Sequence, residues 1–323
     1  MKPTTPTFIV PAETTRPRLD VFLSEQMAIS RSQAQKLLKE KSVLVNNVPA
    51  KKTGQQLLAG DQISIIEKTS TPENKTTVPK KSAKIIVPKL TIIATTKDYI
   101  VIDKPTGLLA HPTMANETYS VASLLTKKYP ELKTVGDDPV RPGIVHRLDK
   151  EASGLMVIAR TQPMFEELKN QFKTRTVGKE YAVLVHDKVA KDWDEIKFRL
   201  ARGDRNERMA AQPLMVRGEA SRLGKEAHTE FLVEKRFVNF SLLKVTIHTG
   251  RMHQIRVHML AYNHPVVGDP LYNQKKRPSA WDKKLGRLFL HCTQLSFTDL
   301  KGDRQIFNSP LPKELEDFLK TLS

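Results

Sequence analysis

The sequence predicts an α+β protein built as one small and one large domain, and three observations predict it. The chain has 323 residues, more than a single typical domain needs. Apolar strand-like runs are interspersed with helical segments, without the regular strand–helix–strand alternation of a doubly wound sheet. Residues 68–89, rich in Thr, Ser, Pro and Lys, separate two apolar-patterned regions and read as a flexible linker, semi-extended at its prolines.

The elements follow in order. Residues 1–15 are rich in Thr and Pro and are expected to be a disordered tail. Residues 16–67 pattern as a compact module. Leu19, Phe22, Leu23 and Met27 recur at helical spacing. Ser30, with Gln33 three residues on, reads as a capping box. The helix it opens turns Ala34, Leu37 and Leu38 inward and Arg31, Lys36, Lys39 and Lys41 to solvent. Val43-Leu44-Val45, the turn pair Asn46-Asn47 and Val48 read as a hairpin. Leu57, Leu58, the Gly60-Asp61 turn and the alternating Ile63-Ser64-Ile65 complete a small α+β unit. Residues 90–323 form the large domain. Residues 92–93, 99–102, 154–158, 181–185 and 242–248 read as strands; 121–128 and 163–172 read as helices.

Composition narrows the function. An apolar content of 39% suffices for a packed core. No run approaches the roughly 18 apolar residues that span a bilayer, and residues 1–10 show no secretory pattern. Cys292 is the only cysteine, which excludes an intrachain disulfide and a multi-thiolate metal site. The cytoplasm is the expected compartment, and a monomer the default. Lys and Arg outnumber Asp and Glu 53 to 35, a net charge of +18. Such a field attracts polyanions, nucleic acid above all, with an anionic membrane surface as the alternative.

Two segments concentrate chemistry. Arg141-Pro142-Gly143-Ile144-Val145-His146-Arg147-Leu148-Asp149-Lys150 places four ionisable residues within five positions, between a Pro-Gly turn and a Ser153-Gly154 break. Asp149 precedes a strand, where a loop can present it at the edge of a sheet; an ion-pair cluster pinning the loop explains the run as well. In Thr249-Gly250-Arg251-Met252-His253-Gln254-Ile255-Arg256-Val257-His258 a strand ends at a Gly turn and a helix follows. Arg256 beside its apolar face would need an anion, and Asp149 is the candidate, since a desolvated Arg–carboxylate pair keeps the acid ionised. The spacing of His253 and His258 does not match a zinc motif, so no metal is expected. Tyr181 opens a strand, as core filling or as a stacking platform for a base. The loop from Lys104 to Pro112 lines a cleft or is a plain turn.

The first module, with its basic helix, Val-X-Val-Asn strand and late Gly-Asp turn, resembles the S4 RNA-binding domain. The rest resembles RluA-type pseudouridine synthases. His146-Arg147-Leu148-Asp149-Lys150 followed by Ser153-Gly154-Leu155 is the most specific match. Lys179-Glu180-Tyr181, Gly268-Asp269-Pro270-Leu271-Tyr272 and Leu288-Phe289-Leu290-His291 match in order. Ala152, Asp103 and Cys292 depart from the usual Thr, Asn and Ala, and residues 273–287 form a basic insertion.

The resemblance implies a pseudouridine-synthase fold, a mixed and largely antiparallel sheet with flanking helices and loops around a central cleft. It implies conversion of uridine to pseudouridine in structured RNA, without a cofactor. Large-subunit ribosomal RNA, free or in pre-ribosomal particles, is the favoured substrate and transfer RNA the alternative. Asp149 would be the catalytic carboxylate, Arg256 its basic partner, and Tyr181 the residue stacked on the base. Arg147 would fill the space left by the flipped nucleotide. His146, Arg251, His253 and Lys104 flank these residues and are expected to touch substrate. Arg31, Lys36, Lys39 and Lys41 would grip RNA phosphates. The rivals are a non-catalytic RNA-binding factor, which could dispense with Asp149, and a DNA glycosidase, which would be expected to pair two acids.

Overall fold

The computed structural model describes residues 7–11, 17–27, 29, 34–35, 37–38, 42–50, 52, 54–65, 89–112, 119–203, 208–212, 215–216, 219–220, 223–272 and 279–322. The chain divides into two compact units, residues 1–83 and 84–323.

In the first unit, β1 (Thr7–Ile9), β2 (Val43–Val45), β3 (Val48–Pro49) and β4 (Gln62–Ile65) form an antiparallel sheet in the order β1-β4-β2-β3. The helix α1 (Leu19–Gln26) buries Leu19, Phe22 and Leu23 in a core with Val43, Val45, Leu57, Ile63 and Ile65. Ala34 and Leu38 join that core, as their spacing predicts. The turn residues Asn46 and Asn47 adopt φ 52 and 64, the left-handed geometry of a two-residue hairpin. One expectation needs correcting: residues 7–9 are not a disordered tail but pair with β4. Thr7-Phe8-Ile9-Val10 is a short β-forming run, and Val10 is buried; its Thr and Pro neighbours hid it. Arg31, Lys36, Lys39, Lys41 and nearly all of the linker lie outside the described residues.

The second unit carries one nine-stranded sheet. Its strands are β5 (Thr91–Thr95), β6 (Tyr99–Lys104), β7 (Ser153–Ala159), β8 (Gly178–His186) and β9 (Trp193–Ile196). Two short hairpins lie outside it, β10 (Arg199–Arg202) with β11 (Met209–Gln212), and β12 (Met215–Val216) with β13 (Glu219–Ala220). Then come β14 (Thr229–Arg236), β15 (Phe240–Ile247), β16 (Leu290–Thr298) and β17 (Arg304–Asn308). The order is β5-β6-β7-β16-β8-β15-β14-β9, with β17 paired to β16. Every pairing is antiparallel except β7 with β16. The sheet is therefore mixed and largely antiparallel, as expected for an α+β fold.

Alternation along the strands decides which face each residue covers. In β8, Val183 and Val185 join the main core, while Leu184 joins a second cluster with Phe240, Phe289, Leu315 and Phe318. The helices are α2 (Val121–Lys128), α3 (Gln162–Thr174), α4 (Gln254–Ala261), α5 (Ala280–Leu285) and α6 (Lys313–Lys320). α2 packs Val121, Ala122 and Leu125 into the main core, and α6 packs Leu315 and Phe318 into the second cluster. Part of the basic insertion folds as α5, started by a Ser279–Asp282 capping box. Among the described residues no helix is long and apolar enough to cross a membrane.

Candidate active site

The site begins with the crossing of β7 and β16. Cys292 stands opposite Gly154 in this parallel pair, and any Cβ at Gly154 would run into the Cys292 backbone. Glycine is the side chain that allows the approach. The loop before β7 thus ends at a central strand, not at a margin of the sheet. His146 holds this loop down: its Nε2 accepts the Val157 N–H at 3.0 Å, and its ring stacks on Phe172 at 4.7 Å. Burial pushes its pKa down to about 3, helped by Lys179. His146 is therefore a neutral anchor on the cleft wall and offers no charge to a phosphate.

Lys104 departs further from expectation. It is fully buried, lines neither cavity of the site, and donates to the carbonyls of Pro105, Leu108, Lys150 and Ala152 at 2.7–3.3 Å. Burial lowers its pKa to about 7, although Asp149 and Glu151 nearby oppose that. The four carbonyls can only accept, so they favour the ammonium. Lys104 ties the loop after β6 to the Asp149 loop, and Thr106 adds a bond to the Glu151 carbonyl at 2.7 Å.

Asp149 meets Arg256 from α4. The guanidinium is 0% exposed and the Asp149 side chain 14%. One guanidinium nitrogen lies 3.2 Å from Asp149 Oδ2 and 3.3 Å from Glu151 Oε2. The principal anion, however, is Asp269, which takes the other edge of the fork at 2.7 and 2.8 Å. Bidentate geometry makes this the strong pair. Burial opposes the Arg256 charge, but the Asp269 bonds and the three carboxylates outweigh it and raise its pKa. Asp269 also accepts the Leu271 and Tyr272 N–H groups, and Tyr272 lies under the guanidinium at 5.2 Å. Sequence reasoning noted the Gly268–Tyr272 run without giving Asp269 or Tyr272 a task. The excess of acid over base around Arg256 could not be read from a linear string.

The turn before α4 is set by Gln254. Its side chain accepts from Thr249 Oγ1 and the Arg251 N–H, and donates to the His228 carbonyl and Thr229 Oγ1. This places Gly250, Arg251 and His253 on the cavity wall. His258 instead contacts Thr229 Oγ1 and the Phe198 carbonyl, away from His253.

Two adjoining cavities result. A small pocket of about 150 Å³ is lined by Asp149, Tyr181, Leu148, Ile255, Leu290 and His253, among others. It joins a cleft of about 340 Å³ along Arg147, Tyr181, Ile247, Gly250 and Arg251. Arg141, Arg147, Arg175, Lys179 and Arg251 line the cleft, and no carboxylate does among the described residues. Arg141, Arg175 and Lys179 were given no task by the sequence: Arg141 and Lys179 only open segments read for Asp149 and Tyr181, and Arg175 lies in no motif. Tyr181 is the fourth residue of β8, not its first. Burial, with Cys292 and Asp149 nearby, raises its pKa well above the usual phenol value, so it is neutral in this site. The arrangement presents one carboxylate and one aromatic ring at the floor of an apolar-sided pocket that opens into a basic cleft.

Known proteins resemble the chain over most of its length. Residues 98–261 match the family model described as RNA pseudouridylate synthase, and residues 17–63 match the S4 domain. The chain is 35% identical to ribosomal large subunit pseudouridine synthase D of Neisseria meningitidis serogroup B, over 97% of this chain and 80% of that one. It is 37% identical to an uncharacterized RNA pseudouridine synthase of Aquifex aeolicus, over 92% and 90% of the two chains. It is 31% identical to ribosomal large subunit pseudouridine synthase D of Escherichia coli K12, over 94% and 90%. Among solved structures it resembles human RNA pseudouridylate synthase domain containing 4, with a TM-score of 0.58 and 26% identity over 71% of this chain and 92% of that one.

Proposed function

This chain belongs to the RNA pseudouridylate synthase family and is an RNA pseudouridine synthase with an N-terminal S4 domain; from that premise we propose that it isomerises uridines of large-subunit ribosomal RNA, with Asp149 as the catalytic carboxylate. One observation carries the assignment of Asp149. It sits beside Tyr181 in a small pocket, 3.2 Å from a fully buried guanidinium, where that pocket opens into a cleft lined by five cations. The ribosomal substrate is supported by relatives named for the large subunit.

The chemistry follows from the placement. The target C1′ is hidden in stacked RNA, so the nucleotide must be extruded at a cost of a few kcal/mol. Arg147, exposed where cleft and pocket meet, is placed to occupy the vacated space. The cleft cations take the phosphates on either side of the extruded nucleotide, and the S4 domain adds contacts to the same RNA. In the pocket, the Tyr181 ring packs against the uracil. Asp149 faces C1′, either as nucleophile or as the counter-charge to a cationic sugar. Arg256, held by Asp269, fixes the carboxylate in position.

The test is to map pseudouridines in ribosomal and transfer RNA from cells with and without this gene, and to add the purified protein to transcripts of both. Loss and restoration of specific large-subunit sites is the expected result. Loss confined to transfer RNA would replace the ribosomal substrate.

A further inference from the structure

Next to Asp149 lies a chain of donors whose direction is fixed by chemistry. The Met209 backbone N–H donates to the Tyr272 hydroxyl oxygen at 2.7 Å. That hydroxyl lies 2.8 Å from His253 Nδ1, and Tyr272 is buried. A backbone N–H has no lone pair to offer, so among the described residues Nδ1 is the acceptor that the hydroxyl reaches. The hydroxyl donates, Nδ1 accepts, and a neutral ring then carries its single proton on Nε2. Nε2 stands 4.0 Å from Asp149 Oδ1, beyond hydrogen-bond reach, on the wall of the pocket that holds Asp149 and Tyr181. His253 is held there at φ 54, the left-handed region that few side chains adopt. Burial lowers its pKa, Asp149 opposing, so the ring is neutral near pH 7.

We infer that His253 is a catalytic donor whose Nε2–H binds a carbonyl oxygen of the departing uracil. The inference rests on the isomerase reading and adds a group to it. When C1′–N1 breaks, its electron pair leaves with the base and spreads onto the carbonyl oxygens, while Asp149 faces the electron-poor C1′. The base turns, a C5 electron pair makes the C1′–C5 bond, C5 loses its proton and N1 gains one. The isomerisation balances without any other reagent. A neutral imidazole N–H stabilises the developing oxyanion without surrendering its proton. An imidazolium in the same place would pair with Asp149 instead. Tyr272 is a positioning residue that keeps the proton on the pocket side, and its bond to Met209 links that function to the β10–β11 hairpin.

The test uses the full chain, unaltered and as His253→Ala, His253→Gln and Tyr272→Phe. The probe is a large-subunit ribosomal RNA transcript that the unaltered protein modifies, made once with uridine and once with 5-fluorouridine. Fluorine draws electrons from the ring and makes the base a better leaving group, so cleavage depends less on the donor. His253→Ala should slow single-turnover conversion of uridine about a hundredfold and leave RNA affinity unchanged. It should slow C1′–N1 cleavage of 5-fluorouridine much less; that base has no C5 proton to lose, so cleavage is read as loss of the starting nucleoside. His253→Gln, which can donate an amide N–H, should recover part of the rate. In a ¹⁵N-histidine NMR spectrum the His253 signals, recognised by their absence from His253→Gln, should report an Nε2–H tautomer that Tyr272→Phe converts to a mixture. Equal slowing of both bases, or an Nδ1–H tautomer in the unaltered protein, would overturn the inference. An unaltered protein inactive on every ribosomal transcript would instead sink the substrate reading, and the spectrum would still decide the tautomer.

Discussion

The cleft and the small pocket share a wall, yet they are built on opposite electrostatic plans. The cleft is open, and its cations come from the loop before β7, the end of α3, β8 and the turn before α4. Lys179 alone of them is buried, and among the described residues no acid lines the cleft. Behind the pocket, three carboxylates crowd a single guanidinium that solvent does not reach. Charges in the open act through water, each adding a modest and salt-sensitive share. Charges in the buried cluster are held by short, directional bonds, and removing one leaves the others uncompensated. The cleft should therefore fail gradually and the pocket abruptly.

Substitutions can break that contrast, and the largest effect should come from Asp149→Asn. It keeps shape and removes the charge at C1′, so conversion of uridine should fall about a thousandfold or more, while RNA affinity in a filter-binding assay holds. Full turnover would remove Asp149 from the chemistry. Next, Arg256→Met leaves Asp149, Glu151 and Asp269 facing one another and should cost about 3–5 kcal/mol in urea unfolding. Arg256→Lys should fall between, because an ammonium keeps the charge but cannot fork onto Asp269.

A smaller effect belongs to pH. Burial holds His258 at a pKa of about 4 against an ordinary 6.5, so below about pH 6.5 the unfolded chain binds a proton that the folded chain refuses. Stability from the neutral ring is fully present above that pH and is lost on acidification towards about pH 4, by about 1.4 kcal/mol per unit. Urea midpoints at pH 7, 6 and 5 measure the slope, and His258→Gln should flatten it. Smallest is Arg175→Ala in the cleft. It should weaken RNA binding a few-fold at most, reduce the log–log salt slope by about one, and leave the unfolding midpoint unchanged. A collapse of folding there would show that the cleft is as tightly coupled as the pocket.

Much of this was legible in the sequence for a plain reason. The strands at residues 91–104, 153–159 and 178–186 are apolar runs, and the α3 and α4 helices carry their own spacing and turn signals. The strands from Trp193 to Arg236 were missed because they are polar and partly exposed, so alternation is weak. Within the site, Asp149, Arg147, Tyr181, Arg251, His253 and Arg256 come from motif segments, and the fold brings them together. Lys104 is turned to four backbone carbonyls and His146, on the cleft wall, accepts a backbone N–H, ties that only the folded chain shows. Asp269 escaped because only the folded chain shows that Arg256 has a stronger partner than Asp149.

The reach of that guanidinium also sets an order of events in the cell. Asp149 and Arg256 are 107 positions apart, and Asp269 lies further downstream. During synthesis the N-terminal unit emerges first and can engage RNA while the loop bearing Asp149 still has no partner. On the proposed assignment, modification waits until Asp269 has been synthesised, and fragments that end before it would leave RNA unaltered.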